Sequence, residues 1–137
     1  MTRINLGIDP TELCDQHLIA EYRELPRMRA FAQGRLDRYG STGPRPVEPT
    51  LGTGHMAYFI PYGASLQNRY NGLVDEMVYR GFTPNHPWRD YPGAFAQIIT
   101  PHHEKIGRHI LQARLIEKLH NGMKSTWTKR RRPDWTV

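Results

Sequence analysis

His17, Glu21, Arg23, Glu24 and Arg27 crowd chemistry-bearing side chains into one short stretch. Spacings of four and three put His17, Glu21 and Glu24 on one face of a helix about two turns long, and Arg23 and Arg27 are also four apart. Arg27 lies within reach of Glu24. Two readings fit this pattern. One is an ordinary solvated face laced with ion pairs. The other is a carboxylate set among guanidinium groups, in which arginine forks clamp phosphates and the carboxylate manages protons or a developing cation. A further reactive group is available upstream. The chain opens Met1-Thr2-Arg3, and a small second residue normally lets the initiator methionine be trimmed, leaving the α-amine of Thr2 free. Such an amine has a pKa of about 7.7–8.0, so part of it is neutral near pH 7 and able to attack an electrophilic carbon through Schiff-base chemistry.

Helices are the elements that must position these groups. Asp9-Pro10-Thr11-Glu12 has the form of a capped helix start. Leu13, Leu18, Tyr22 and Leu25 carry the apolar register onward until Pro26, which should bend or end the helix. Gly and Pro crowd the stretch from Gly34 to Gly63, predicting loop with a short ordered piece around Met56–Ile60. A second helix is expected from Ala64 to Arg80, with Leu66, Tyr70, Leu73 and Met77 on one stripe and Gly81 as its stop. After a Pro-punctuated loop from Pro84 to Gly93, Thr100-Pro101 starts a third helix that Asn121-Gly122 ends. Its expected inner face is Ile106, Ile110 and Ala113, helped by Leu111 and Leu115. The predicted fold is all-α: one compact domain over residues 1–137, of about three main helices joined by long Pro/Gly-rich loops.

Composition narrows the class of partner. A formal charge of +6 over 137 residues favours a polyanion, although charge that serves only solubility is the plainer alternative. The single cysteine, Cys14, cannot form an internal disulfide; its apolar register predicts a buried structural thiol. No apolar run approaches the roughly 20 residues of a membrane span, and no signal peptide opens the chain. The expectation is a soluble, cytoplasmic protein. His102, His103 and His109 share the third helix without a matching carboxylate or cysteine set, so no metal site is expected.

Several blocks, taken together, carry a resemblance. Met1-Thr2-Arg3-Ile4-Asn5-Leu6, then Asp15-Gln16-His17-Leu18 and Ala20-Glu21-Tyr22-Arg23-Glu24-Leu25-Pro26-Arg27, closely resemble the amino-terminal segment of the bacteriophage-type pyrimidine-dimer DNA glycosylases, the endonuclease V family. The likeness continues in Leu51-Gly52, Gly54-His55, Arg80-Gly81-Phe82, Gln112-Ala113-Arg114-Leu115, Glu117-Lys118 and Thr126-Trp127.

The resemblance implies a bifunctional enzyme that excises a damaged base from double-stranded DNA and then cleaves the strand by β-elimination. Thr2 matches the nucleophile, whose amine forms an imine with the sugar, and Glu24 matches the essential carboxylate. Arg23 and Arg27 match phosphate-holding arginines, Arg3 and His17 match neighbouring substrate-binding positions, and Arg114, Lys118 and Trp127 match positions at the DNA surface. No cofactor is implied, and a monomer associated with the nucleoid is expected. One departure concerns the tail: Trp127 is followed here by Thr128 and the basic run Lys129–Arg132, where the phage enzyme is rich in tyrosine. Phosphate contact by that run is the expectation. Other damaged bases, or a non-catalytic DNA-binding module on the same scaffold, are the alternative functions. His55 is expected to be structural, bonding loop backbone, and Trp88, Trp127 and Trp135 could serve either packing or base stacking.

Overall fold

The computed structural model describes residues 3–137, and among these the fold is all-α. Five helices follow in order: α1 (Asp15–Glu24), α2 (Met28–Tyr39), α3 (His55–Phe59), α4 (Gly63–Arg80) and α5 (Pro101–His120). The three expected helices are α1, α4 and α5.

The capping signal at Asp9 is real but serves a different element. Asp9 accepts from the Thr11 N–H and Glu12 reaches back to the Asp9 N–H, closing a capping box on a 3-10 turn, Pro10–Glu12. The chain then turns extended at Leu13, and α1 begins only at Asp15, with Cys14 at its N-cap. Burial raises the pKa of the Cys14 thiol, in keeping with a structural role. Pro26 lies in a second 3-10 turn, Leu25–Arg27. The chain re-enters α-helix directly after it, so the loop expected from Gly34 is helical as far as Tyr39 and stops where Gly40 turns left-handed at φ 67°. Only Met28 and Ala32 of α2 are buried, which leaves too thin an apolar stripe to read from sequence.

Helix α4 crosses the middle of the molecule and packs on α1, burying Leu66, Leu73 and Met77. Each large apolar side chain so buried is worth about 1.5–3 kcal/mol. Gly81, at φ 91°, closes α4 as expected, and the Thr100 hydroxyl caps α5 by accepting from the His103 N–H. Of the predicted inner face of α5, Leu111 and Leu115 are buried as expected and Gly107 joins them, whereas Ile106 and Ile110 are half-buried and Ala113 is exposed.

The segment 3–8 runs between these helices and ends in a turn closed by the Ile8 N–H donating to the Asn5 carbonyl at 3.0 Å, with Ile4 and Ile8 fully buried. Among the described residues it has no strand partner, so side chains satisfy other backbone groups of the segment. His55 accepts from the Ile4 N–H at 2.9 Å, Arg108 donates to the Gly7 carbonyl at 2.9 Å, and Arg69 donates to the Ile8 carbonyl. Gly7 sits at φ 100°, where a Cβ would come within 2.8 Å of the Glu104 carbonyl oxygen. Only glycine lets the segment lie this close to α5.

The other end of the chain is stapled to the start of α1. Asp15 accepts from the hydroxyls of Thr126 and Thr128 at 2.6 and 2.7 Å and forms a buried ion pair with Arg80 at 2.9 Å. Arg80 also meets Glu76, which in turn takes both arms of Arg130 at 2.8 Å.

Candidate active site

The sequence places Glu21 and Glu24 on one helical face, and the structure gives them opposite surroundings. Glu21 is buried, 2% exposed, and holds Arg69 of α4 through a two-armed pair at 2.8 and 2.9 Å. It also accepts from the Asn5 amide at 3.0 Å. The solvated, ion-paired face is therefore not what forms here. Glu21 is a structural charge whose partner lies on another helix. Glu24, one turn further at the end of α1, is half-buried and accepts one long contact, 3.4 Å, from the backbone N–H of Arg3.

Around Glu24 opens a cleft of ≈ 240 Å³ lined by Arg3, Asn5, His17, Ala20, Glu21, Glu24, Arg114, Lys118 and Met123. A larger hollow of ≈ 690 Å³ shares Arg3, Arg114, Lys118 and Met123 with it and continues along the end of α5 to Asn121 and Gly122. Three separate pieces of chain build this site. The segment 3–8 brings Arg3 and Asn5, α1 brings His17 and Glu24, and α5 brings Arg114 and Lys118, four residues apart on one face.

The electrostatics are those of an anion site beside Glu24, a carboxylate with no salt bridge among the described residues, whereas Glu21 is occupied by Arg69. Among the described residues, Arg3, Arg114 and Lys118 make no salt bridge. Nε and Nη1 of Arg3 are buried without a hydrogen-bond partner there, as is Oδ1 of Asn5. Burial, together with the charge of Arg3, lowers the pKa of Arg114. Burial, then the charges of Arg114 and Lys118, push His17 down to about 4, so its imidazole is neutral through the physiological range. A neutral imidazole can hydrogen-bond a substrate without adding to the positive field.

The remaining predicted residues lie elsewhere. Arg23 and Arg27 are exposed and do not line the cleft, and among the described residues Arg27 forms no ion pair with Glu24. Trp127 is half-buried on the tail, donating from Nε1 to the Glu12 carbonyl at 3.0 Å beneath the Arg132 guanidinium. Trp135 donates to the Glu12 carboxylate, and Trp88 stacks on Tyr91, so all three tryptophans have packing partners. The basic run is partly occupied too: Arg130 is held by Glu76 and covers the Tyr79 ring at 4.0 Å. Among the described residues no group of acidic, cysteine and histidine side chains is arranged to hold a metal, and His103 meets the Tyr58 hydroxyl at 2.8 Å. Thr2 lies outside the described residues.

A family model described as pyrimidine dimer DNA glycosylase matches residues 1–90. The chain belongs to that family. Membership makes it a DNA glycosylase with DNA as its substrate class. The matched stretch contains Thr2, Arg3, His17, Arg23, Glu24 and Arg27, whereas Arg114, Lys118 and Trp127 lie beyond it. The cleft thus joins residues from inside the family match to cations of α5 outside it. No helix of the described residues is long and apolar enough to cross a membrane.

Sequence reasoning missed Asn5 as a lining residue. Its signal was a polar side chain in an otherwise apolar run, Ile4-Asn5-Leu6, which calls for a buried partner.

Proposed function

We propose that the chain excises pyrimidine dimers from ultraviolet-damaged duplex DNA and then nicks the strand at the abasic site, using the Thr2 α-amine as nucleophile. One observation carries the reading. The amide that directly follows Thr2, the N–H of Arg3, faces the Glu24 carboxylate at the mouth of a cleft walled by cations. A nucleophilic terminus, a carboxylate and phosphate-binding groups therefore have reason to converge.

The neutral amine attacks the anomeric carbon of the sugar. The glycosidic bond breaks, and its electrons leave with the base, which takes up a proton. Breaking the ring carbon–oxygen bond, with a proton delivered to that oxygen, leaves a protonated imine. Loss of the neighbouring C2′ proton then drives β-elimination of the 3′ phosphate, and water releases the amine. Glu24 opposes the positive charge that develops on the sugar and assists the proton transfers. Arg3, Arg114 and Lys118 meet phosphates in the cleft, Arg23 and Arg27 meet them on its rim, and neutral His17 bonds the substrate. The same cations favour the uncharged form of the amine. Trp127 contributes by ordering the tail. The protein is expected to act as a monomer in the compartment that holds the DNA.

Borohydride reduction on abasic duplex DNA tests this, using protein with an untagged terminus and confirmed loss of Met1. A covalent adduct mapped to the amino-terminal peptide is the expected result. An adduct on a lysine side chain, or none, overturns the mechanism. Nicking of irradiated plasmid that persists after photolyase reversal of the dimers overturns the lesion assignment alone.

A further inference from the structure

We infer that His55 is a positioning residue for the reacting amine, acting through the backbone of Ile4 to set the register of the amino-terminal segment against Glu24. The inference rests on the imine mechanism proposed above. His55 opens α3 and is 2% exposed, with both ring nitrogens engaged. Its Nε2 accepts from the Ile4 N–H at 2.9 Å, which requires the proton to be on Nδ1, and Nδ1 donates to the Thr50 carbonyl at 2.8 Å. The ring edge also rests against Phe59, at 5.3 Å between centroids.

The local sequence builds this arrangement. Gly54 caps α3 at φ 93°, where a Cβ would come 2.9 Å from Pro46, and the His55 N–H is tied to the Gly52 carbonyl at 3.1 Å. The ring therefore starts from a backbone that cannot easily rotate. Ile4 lies two residues after Thr2 and one after Arg3, whose N–H faces Glu24. A shift of the segment by a fraction of an ångström at Ile4 would pass directly to the groups that react.

The contact needs a neutral imidazole, because a proton on Nε2 would set two donors face to face. Burial holds His55 below its ordinary pKa, and the charges of Arg3 and Arg114 act the same way. The Thr50 bond and Glu21 oppose them.

The two amide replacements separate this role from support of the loop. Glutamine can reproduce the Nε2 end of the ring and asparagine the Nδ1 end. Single-turnover borohydride trapping on abasic duplex would be measured for the untagged wild type, His55→Gln and His55→Asn, alongside duplex Kd and thermal melting. His55→Asn should trap about 10-fold or more slower, since small misplacements at a reacting centre can cost up to about 100-fold. Its duplex Kd should not change, and His55→Gln should recover most of the rate. Asparagine trapping at the wild-type rate, or asparagine outperforming glutamine, overturns the inference, as does a loss that follows the fraction of unfolded protein. Absence of any wild-type adduct overturns the imine mechanism instead, and this role with it. Nitrogen-15 NMR of the wild type provides a check that needs no variant. An Nδ1–H tautomer coupled to the Ile4 amide is expected, and an Nε2–H tautomer overturns the role.

Discussion

Two regions of the molecule gather positive charge, the carboxy-terminal tail and the cleft beside Glu24, and their cations meet different fates. On the tail, Arg130 is clasped by Glu76, and Arg132 covers Trp127 and donates to Thr136. At the cleft, Arg3, Arg114 and Lys118 have no carboxylate partner among the described residues, and Arg3 has buried donors left over. Cations paired to carboxylates hold structure together. Cations crowded together without partners repel one another and lower stability until an anion arrives. The difference separates charge that builds the fold from charge left without a protein partner, which the function proposed above assigns to DNA, although both read identically as Lys and Arg in the sequence.

The sharpest way to break this comparison is at the carboxylate beside the unpartnered set. Glu24→Gln keeps the shape of the side chain and removes its charge. Base removal and imine trapping should fall by about 100-fold or more, as when a group that stabilises developing charge is lost. Duplex affinity and melting temperature should stay near wild type. Comparable losses of melting temperature and activity would mean that Glu24 is structural after all.

Glu21→Gln should give the converse. Removing one partner of a buried ion pair costs about 3–5 kcal/mol, because the other charge is stranded. Denaturant unfolding should therefore show a large loss of stability. Any fall in activity should vanish at temperatures where the variant is still folded. A fully stable variant would contradict the Arg69 pairing.

The third contrast uses salt. Replacing both Arg114 and Lys118 with alanine should flatten the log–log salt dependence of duplex affinity by about 0.9 for each phosphate that is no longer neutralised. Arg130→Ala should instead lower the melting temperature and leave that slope alone. A flattened slope from Arg130→Ala would return the tail to the DNA-binding surface.

The smallest effect concerns pH. His17 has a folded-state pKa of about 4, below the ordinary 6.5, so as pH falls through this window the unfolded chain takes up a proton that the folded one does not. Stability attributable to neutral His17 is fully present above about pH 6.5 and drains away toward pH 4. His17→Gln should flatten the pH dependence of the melting temperature within that window. Carboxylates with lowered pKa values, Asp15 and Glu76 among them, govern the decline below it. An unchanged slope would show that His17 is better solvated than its surroundings imply.

Much of the molecule is legible in the sequence where one short-range signal governs. Thr100-Pro101, Gly81 and the Leu66–Met77 stripe delimit α4 and α5 almost to the residue, because caps and helical periodicity are local physics. Glu24, Arg3 and His17 stand out through a family likeness, and the cleft brings all three together. Elsewhere the governing partner lies far along the chain. Nothing near Glu21 reveals Arg69, 48 residues away, and nothing near Thr128 reveals Asp15. Helix α2 is hidden because only two of its residues enter the core. The Asp9 box is a true cap on an element other than the expected one, since a 3-10 turn and an α-helix share the same opening chemistry.

The threaded segment 3–8 also has a consequence for the order of events during synthesis. The side chains that secure it are made later: Arg69 is 61 residues beyond Ile8, and Arg108 is 101 beyond Gly7. At roughly 5–20 residues per second, that delay lasts on the order of 5–20 s. Throughout that interval residues 3–8 lack the two guanidinium groups that hold the Gly7 and Ile8 carbonyls. Docking of the segment therefore waits for α4 and α5, which carry Arg69 and Arg108, and cannot precede them.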